Sequence, residues 1–354
     1  MKKKILYIVE AMGGGVFSYI VDLSNELIDI YDIYIAYAVR KQTPSNYRDY
    51  FDNRVHLIEV KNLKRSIDPV KDIKAFFEIK KIASVVNPDI IHLHSSKAGV
   101  LGRMAFDGKI PVFYTPHGYS FLMENCNLLQ RRLYRMVEVM FAKRKCITIS
   151  CSLGEHRETL KFTKRATYIN NGINICALQT IVENSEKVEH PYTVYTLGRI
   201  CYQKNPELFN KIAEALPDVK FIWIGDGELR EELTSNNIEI TGWVDRSTAI
   251  KYAVNADVFL LPSRWEGLPI SLLESMYMKK VCVVSNVIGN RDVIKNGENG
   301  FVCNRVDDYV KAIKEGLNNK SKMKELAYQD ILTLYNTKVM AKKYSDKYER
   351  SLGK

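Results

Sequence analysis

Short β-rich runs alternate with longer helical stretches along the chain, and the alternation occurs twice. In the first series the predicted strands are 5–9, 33–38, 55–60, 90–94, 112–114, 146–150 and 167–169, with helices at 16–29 and 68–86. Strands that alternate with helices predict a parallel sheet with helices on both faces. The first series therefore predicts a doubly wound α/β domain.

A second series follows the polar segment 182–191, which has the composition of a linker. Its predicted strands are 193–197, 221–224, 238–240, 258–261, 281–285 and 301–303, and its predicted helices are 206–215, 228–233, 248–254 and 270–278. A chain of 354 residues is long enough for two domains. We therefore predict two tandem Rossmann-like domains, 1–185 and 186–354, that face each other across a cleft. The C-terminal helix has room to cross back to the first domain.

Net charge is +11 and is concentrated in the first half of the chain. Residues 1–190 hold 28 Lys and Arg against 20 Asp and Glu, which leaves +8 for that half. A basic surface suits anionic lipid headgroups, nucleic acids or phosphorylated substrates. Because no nucleic-acid-binding module matches the sequence, nucleic acid is the disfavoured partner.

The cysteines and the N-terminus indicate a cytoplasmic protein. The seven cysteines form no C-x-x-C pair, as expected for a reduced chain with buried thiols. The apolar run from Ile5 to Val9 ends at Glu10, so it predicts a strand and not a signal peptide. No run reaches the roughly 18 apolar residues that a membrane-spanning helix needs. Contact with a membrane, if any, is expected from its surface.

Candidate ligand contacts follow the predicted strands of the first domain. Ligands of open α/β sheets bind beyond the carboxyl ends of the strands. The glycines 13–15 follow the first strand and either bring main chain close to a phosphate or form a tight turn. They lack the G-x-G-x-x-G spacing of dinucleotide sites. His117 follows another strand, where a structural histidine is equally expected. His92 and His94 share a strand face that could bind a metal, but no Cys or carboxylate cluster accompanies them.

The second domain carries two charged constellations. Arg199 and Lys204 follow strand 193–197, and they could clamp a diphosphate with a guanidinium fork and an ammonium point charge. The alternative is a solvated basic turn. Glu266 and Glu274 follow strand 258–261, on a Gly-Pro turn and the helix after it, and this order would aim both carboxylates at one ligand.

Several motifs in this order resemble a known family. They are Y-I-N-N-G-I-N from 168, G-R-x5-N-P from 198, I-G-D-G-E-L-R from 224 and P-S-R-W-E-G-L-P-I-S-L-L-E from 262, together with the glycine-rich first loop. This set resembles the retaining family 4 glycosyltransferases, which have the GT-B fold and an E-x7-E motif. The resemblance covers nearly the whole chain.

The resemblance implies roles for the candidate residues. Glu274 would hold the ribose of a nucleoside diphosphate sugar, and Glu266 would lie against hydroxyls of the transferred sugar. Arg199 and Lys204 would neutralise the diphosphate, whose charge grows in the transition state. His117 would approach the donor sugar. Further donor contacts would come from Gly14, Gly15, Trp243, Val244, Gly267, Leu268 and Pro269.

The chain departs from the family pattern at one turn. Many relatives have Gly-Gly-x-x-Glu there, whereas this chain has Gly289-Asn290-Arg291-Asp292 after Ile288, so no role is assigned to Asp292. The chain has no D-x-D triplet, so we expect neither a metal ion nor another cofactor, and the basic pair would replace the metal.

The function implied by the resemblance is glycosyl transfer. A hexose or N-acetylhexosamine would move from a nucleotide sugar, with UDP favoured, to a lipid-linked or oligosaccharide acceptor in surface polysaccharide synthesis. Retention by front-face displacement is expected. The alternatives are a nucleotide-sugar epimerase or hydrolase of the same fold and a non-catalytic scaffold that binds sugar nucleotides.

Residues 129–141 have the pattern of an amphipathic helix. Its apolar positions lie on one arc and Arg131, Arg132 and Arg135 lie opposite, with the basic run 143–145 directly after it. One interpretation is a helix that docks on anionic lipid, which would make the protein peripheral on the cytoplasmic face of the membrane. The other is a domain helix that packs its apolar arc on the sheet and leaves the arginines outside.

Overall fold

The chain divides into two compact units, and each contains one parallel sheet. The structure is a computed structural model that describes residues 1–10, 12–40, 43–64, 66, 68–318 and 320–353. The first unit comprises Met1–Leu122, Cys126–Asn171 and Thr337–Lys354, and the second comprises Met123–Asn125 and Gly172–Asn336. The contacts therefore change from one unit to the other after residue 171, earlier than the predicted boundary at 185. The C-terminal segment packs with the first unit.

Within the described residues, the first unit has a seven-stranded sheet in the order β3-β2-β1-β4-β5-β6-β7 with all neighbours parallel. Its strands are β1 (Lys3–Val9), β2 (Tyr31–Tyr37), β3 (His56–Glu59), β4 (Ile90–His94), β5 (Val112–Thr115), β6 (Ile147–Ser150) and β7 (Ala166–Tyr168). Its helices are α1 (Gly14–Leu27), α2 (Pro69–Val86), α3 (Ser96–Ala105), α4 (Leu128–Phe141), α5 (Leu153–Leu160) and, at the end of the chain, α13 (Thr337–Ser351).

Alternate residues of β1 belong to different cores on the two faces of this sheet. Leu6 and Ile8 belong to the core that holds the buried residues of α2 and α3. Tyr7 and Val9 belong to the core formed with α1 and α13. Because successive strand side chains point to opposite faces, the helices lie in two layers.

The second unit has the same architecture. Across the part of the chain that is described, its six-stranded sheet has the order β10-β9-β8-β11-β12-β13, again all parallel. The strands are β8 (Thr193–Leu197), β9 (Lys220–Ile224), β10 (Ile238–Ile240), β11 (Val258–Leu261), β12 (Val281–Ser285) and β13 (Phe301–Cys303). The helices are α6 (Ile175–Glu183), α7 (Pro206–Glu214), α8 (Arg246–Val254), α9 (Ile270–Tyr277), α10 (Asn290–Val293), α11 (Val306–Leu317) and α12 (Ser321–Thr333). The prediction of two doubly wound α/β domains is confirmed.

Two local predictions were wrong. The predicted helix 228–233 is only a 3-10 turn at Arg230–Glu232, in which the Leu233 N–H donates to the Arg230 carbonyl at 3.1 Å. The Leu229 N–H donates to the Ile200 carbonyl at 3.3 Å, which binds the start of the segment to the loop after β8. The predicted linker 182–191 overlaps the last two residues of α6 and lies entirely within the second unit, so it does not join the two units.

Helix α4 packs inward through Tyr134, Glu138 and Phe141, which contradicts the interpretation that its apolar arc as a whole lies on the sheet, although Arg132 and Arg135 are exposed as that interpretation expects. It begins at a capping box in which Asn127 and Gln130 exchange side-chain hydrogen bonds with each other's backbone. Its Glu138 is buried, where it forms an ion pair with Arg103 (2.9 Å) and accepts from the Tyr114 hydroxyl (2.9 Å). Most of the apolar arc faces solvent: Leu129 is 76% exposed, and Leu133, Met136 and Met140 are also exposed, whereas Phe141 at the end of the arc is buried.

Candidate functional site

Glycines hold two strand-end loops of the second unit in contact. The loops follow β8 and β9, which are neighbours in the sheet. Gly225 has φ +136°, and a Cβ there would lie 2.3 Å from the Gly198 carbonyl oxygen. The Trp223 indole donates to that same oxygen at 2.8 Å. A side chain at position 225 would therefore separate the two loops.

Lys204 and Glu266 meet where the loop after β8 contacts the loop after β11. Lys204 ends the 3-10 turn Tyr202–Lys204 after β8, and Glu266 lies between β11 and α9. The Lys204 ammonium donates to Glu266 Oε1 at 2.6 Å, and the two side chains are 17% and 7% exposed. Gln203 supports the same carboxylate with a long contact of 3.4 Å and binds the Trp265 carbonyl at 3.0 Å. The predicted cation of the clamp is thus paired with a predicted sugar ligand.

Arg199 has a different partner. Its Nε donates to Glu228 Oε2 at 2.8 Å, and both side chains are well exposed. Glu228 follows the loop after β9. The two cations of the predicted clamp therefore neutralise separate carboxylates in this structure, one of them buried and the other at the surface.

Glu274 is buried on α9 and forms an ion pair that sequence reasoning missed. Arg246 Nη2 donates to Glu274 Oε1 at 2.6 Å, and the side chains are 32% and 8% exposed. Burial raises the pKa of Glu274, and Arg246 opposes that shift. Arg246 is the first residue of α8, where Asp245 caps the helix by accepting from the Thr248 N–H at 3.0 Å. The capping Asp245 is a sequence signal for the start of α8, and therefore for the place of Arg246, but it does not reveal Glu274 as the partner.

The turn between Glu266 and Glu274 packs against the turn at Gly289. Leu268 and Pro269 are buried, and α9 begins directly after Pro269. Gly289 has φ +84°, and a Cβ there would lie 2.3 Å from the Gly267 carbonyl oxygen. Asp292, to which no role was assigned, accepts from the Gly289 N–H at 3.2 Å and so stabilises this supporting turn.

Trp243 and Val244 lie in the loop that joins β10 to α8. An isolated bridge between Gly225 and Gly242 ties this loop to the one after β9. Trp243 is 65% exposed, and Val244 is half-buried. An exposed indole can stack on a planar base, and the contact of these two residues with the nucleotide base stays a prediction.

The candidates of the first unit lie at the carboxyl edge of its sheet. Gly14 and Gly15 are exposed at the start of α1, where Gly14 has φ +57°. His117 follows β5 with φ +56°, and its Nε2 lies 3.1 Å from His94 Nδ1. Burial lowers the pKa of His117 to about 3, so this imidazole is neutral at physiological pH. The roles of these three residues toward the donor stay predictions.

His92 on β4 joins the sheet to the C-terminal helix. His92 Nδ1 lies 2.6 Å from the Tyr348 hydroxyl on α13, and its Nε2 lies 2.9 Å from Thr115 Oγ1. Both ring nitrogens are thus engaged, which joins the C-terminal helix to the sheet. Among the residues that the structure describes, no three His, Cys, Asp or Glu side chains are grouped to hold a metal ion.

Comparison with known proteins identifies the family. The model of Glycosyltransferase Family 4 matches residues 13–175, and that of Glycosyl transferases group 1 matches residues 179–331. The UDP-Gal:alpha-D-GlcNAc-diphosphoundecaprenol alpha-1,3-galactosyltransferase of Escherichia coli is 30% identical over 306 residues, which cover 77% of each chain. The chain is a family 4 glycosyltransferase.

Other relatives agree with this glycosyltransferase assignment. The N,N'-diacetylbacillosaminyl-diphospho-undecaprenol alpha-1,3-N-acetylgalactosaminyltransferase of Campylobacter jejuni is 24% identical over 81% of this chain and 84% of its own. Sucrose-phosphate synthase from Thermosynechococcus elongatus superposes with a TM-score of 0.83, covering 99% of this chain and 100% of that one at 15% identity. That likeness shows the fold, and the predicted GT-B fold and glycosyltransferase activity are confirmed.

The glycosyltransferase shows no membrane-spanning helix in the described part of its chain. None of those helices is both long and apolar enough to cross a bilayer.

Proposed function

We propose that this glycosyltransferase moves a hexose or N-acetylhexosamine from a UDP-sugar to a diphosphate-linked lipid saccharide, with retention of anomeric configuration. Two buried carboxylates flank the turn 267–269, each already paired with a cation, and this observation carries the proposal. The Escherichia coli relative is named for a UDP-Gal donor and a diphosphoundecaprenol acceptor. The same chemical classes of donor and acceptor are proposed here.

Glu274 is the proposed ligand of the ribose hydroxyls. A carboxyl group accepts hydrogen bonds from two hydroxyls most strongly when it is ionised, whereas burial favours its protonated form. Arg246, at 2.6 Å, favours the ionised form. The pair thus keeps an acceptor available inside a largely buried site.

Lys204 is the proposed electrostatic partner of the diphosphate. Negative charge grows on the leaving diphosphate as the glycosidic bond breaks, so a fixed ammonium nearby stabilises the transition state more than the ground state. Its pairing with Glu266 orients the ammonium before the donor binds. Arg199 adds a second positive charge at the exposed rim of the same loop.

Retention is proposed to proceed by front-face displacement. A double displacement requires a carboxylate that is free to attack the anomeric carbon. Glu266 and Glu274 both form ion pairs at 2.6 Å, which disfavours either as a nucleophile. The leaving phosphate would then accept the proton of the acceptor hydroxyl. With Lys204 and Arg199 as the cations, no metal ion is required.

Nucleotide titrations and an acceptor-dependence assay test the proposal. Calorimetry with UDP, GDP and ADP should show the tightest binding for UDP, and Glu274→Gln should weaken it because the charge is removed while the shape is kept. Release of UDP from a UDP-sugar should depend on a diphosphate-linked lipid acceptor. Equal release without any acceptor would identify a hydrolase, and interconversion of the sugar without release would identify an epimerase.

Docking on an anionic membrane is proposed for the outward face of α4. The exposed apolar residues named above would enter the headgroup region, while Arg132 and Arg135, also exposed, would contact anionic lipid. This arrangement would bring the enzyme to a lipid-linked acceptor on the cytoplasmic face.

Vesicle sedimentation tests this docking. Binding should rise with the anionic lipid fraction, fall with salt, and weaken in Arg132→Gln/Arg135→Gln. The matched control is Lys311→Gln/Lys314→Gln on α11, which removes the same charge from exposed positions of the second unit. Equal binding to neutral and anionic vesicles would reject the docking and leave the donor site unaffected.

A further inference from the structure

Helix α2 exposes a second apolar stripe. Val70, Ile73 and Phe77 are 63%, 60% and 63% exposed, and their spacing places them on one side of the helix. The opposite side packs on the sheet through Ala75, Ile79 and Ala83, all buried. Single exposed apolar residues are common, but three large ones aligned on one helix mark an interaction surface.

This stripe lies on the same side of the first unit as α4. The helices α2 and α3 share a core with β1 and β4, and α3 contacts both α2 and α4. Glycines seat α3 directly on the sheet: a Cβ at Gly99 would lie 2.3 Å from the Tyr114 ring, and one at Gly102 would lie 2.2 Å from Leu93. The short α3 is therefore packed closely on the sheet, between α2 and α4.

The basic residues beside the stripe favour an anionic partner. Lys74, Lys80 and Lys81 are exposed beside the α2 stripe, as Arg132 and Arg135 are on α4. A second copy of the chain docked on this face would bring like charges together, which is unfavourable. An anionic bilayer accepts the apolar side chains and the lysines at once.

We propose that α2 and α4 dock together on one anionic bilayer, which lays the sheet of the first unit parallel to the membrane surface. The inference rests on the proposed docking of α4 and adds a second contact that fixes orientation. In a doubly wound unit the helices run alongside the strands, so two such helices on the surface keep the strands in that plane. The carboxyl edge with Gly14 and His117 then opens along the membrane surface, where a lipid-linked acceptor would lie.

The test uses the full chain and vesicles of equimolar phosphatidylglycerol and phosphatidylcholine. Ile73→Gln/Phe77→Gln on α2 should bind about tenfold more weakly than wild type, as expected from withdrawing two large apolar side chains from lipid. Leu129→Gln/Met136→Gln on α4 should weaken binding similarly. Ile30→Gln/Leu326→Gln, at exposed apolar positions outside these helices, is the matched control and should bind like wild type.

A second measurement reports contact directly. Phe77→Trp should gain fluorescence that brominated lipids quench, whereas Ile30→Trp should not, each read as the difference from the parent chain with its tryptophans at 223, 243 and 265. Transfer to a lipid-linked acceptor should fall in the α2 variant while UDP affinity stays unchanged.

Each outcome has one meaning. If the α2 variant binds vesicles like wild type and Phe77→Trp is not quenched, α4 docks alone and the orientation is refuted, while the proposed function stands. If wild type does not bind these vesicles, the docking of α4 fails together with the inference. If the α2 variant changes a dimer into a monomer without lipid, a second copy covers α2 and the inference is overturned.

Discussion

Replacing Lys204 with alanine separates two effects of one ammonium group. The first is structural: the Glu266 carboxylate loses its partner at 2.6 Å and keeps only the 3.4 Å contact with Gln203. Breaking a fully buried ion pair costs about 3–5 kcal/mol. Because Lys204 keeps 17% exposure, water can partly replace it, and we expect a loss of about 2–3 kcal/mol in the free energy of unfolding.

The second effect is catalytic. Removing one electrostatic partner of a developing charge typically lowers kcat on the order of 10²-fold. We expect a loss of about that size in kcat/KM for Lys204→Ala, with a smaller loss in UDP affinity, because the diphosphate gains charge in the transition state.

A double-mutant cycle with Glu266→Gln distinguishes the two effects. In Lys204→Ala/Glu266→Gln the buried charge is gone, so urea unfolding should recover most of the stability lost in Lys204→Ala. The kcat/KM value should not recover, because the ammonium is still missing. We expect a coupling energy of about 1–2 kcal/mol in stability.

Two results would refute this reasoning. Recovery of kcat/KM together with stability in the double variant would mean that Lys204→Ala acts only by disturbing Glu266. Equal losses in UDP affinity, measured by calorimetry, and in kcat/KM would mean that Lys204 contributes ground-state binding alone.

Three further predictions concern the same unit. Arg246→Gln should raise the pKa of Glu274 further, so UDP affinity measured by calorimetry should be about tenfold weaker at neutral pH and should begin to fall at a higher pH than in wild type; superimposable pH profiles would contradict this. EDTA should leave the initial rate of transfer largely unchanged, and complete loss restored by Mg²⁺ or Mn²⁺ would show a required metal. Gly289→Ala should lower the free energy of unfolding by about 1–3 kcal/mol more than Gly297→Ala, because both have φ above +80° but only position 289 faces the Gly267 carbonyl; equal losses would show that backbone strain alone decides.

The fold could be predicted from local patterns because buried parallel strands have a strong signature. Strands β11 and β13 have the predicted bounds, since each is a short apolar run that ends at a polar or turn-forming residue. The segment 228–233 has helix-forming residues but no helix, because Gly227 must approach the Ile200 carbonyl, 2.0 Å from where its Cβ would be. That constraint comes from the loop after β8 and cannot be read from the segment itself.

The site was predictable in its residue types and not in its pairings. The order of motifs indicated that Lys204, Glu266 and Glu274 matter, because each follows a strand. The choice of Glu266 for Lys204, and of Glu228 for Arg199, depends on how loops from different strands meet. Arg246 belongs to no motif in the sequence, and only its contact with Glu274 shows that it is part of the site.

Helix α4 shows that hydrophobic periodicity does not determine which side of a helix faces the domain. The pattern defines an apolar arc and a basic one, but the side that packs on the domain, with Tyr134, Glu138 and Phe141, coincides with neither arc. Glu138 decides, because Arg103 and Tyr114 give its carboxylate two partners inside the domain, and a buried carboxylate with such partners fixes how the helix is rotated. Most of the apolar arc is left in water, at a cost that burial against the sheet would have avoided. An exposed apolar arc next to arginines is the observation that motivates the proposed docking of α4 on an anionic bilayer.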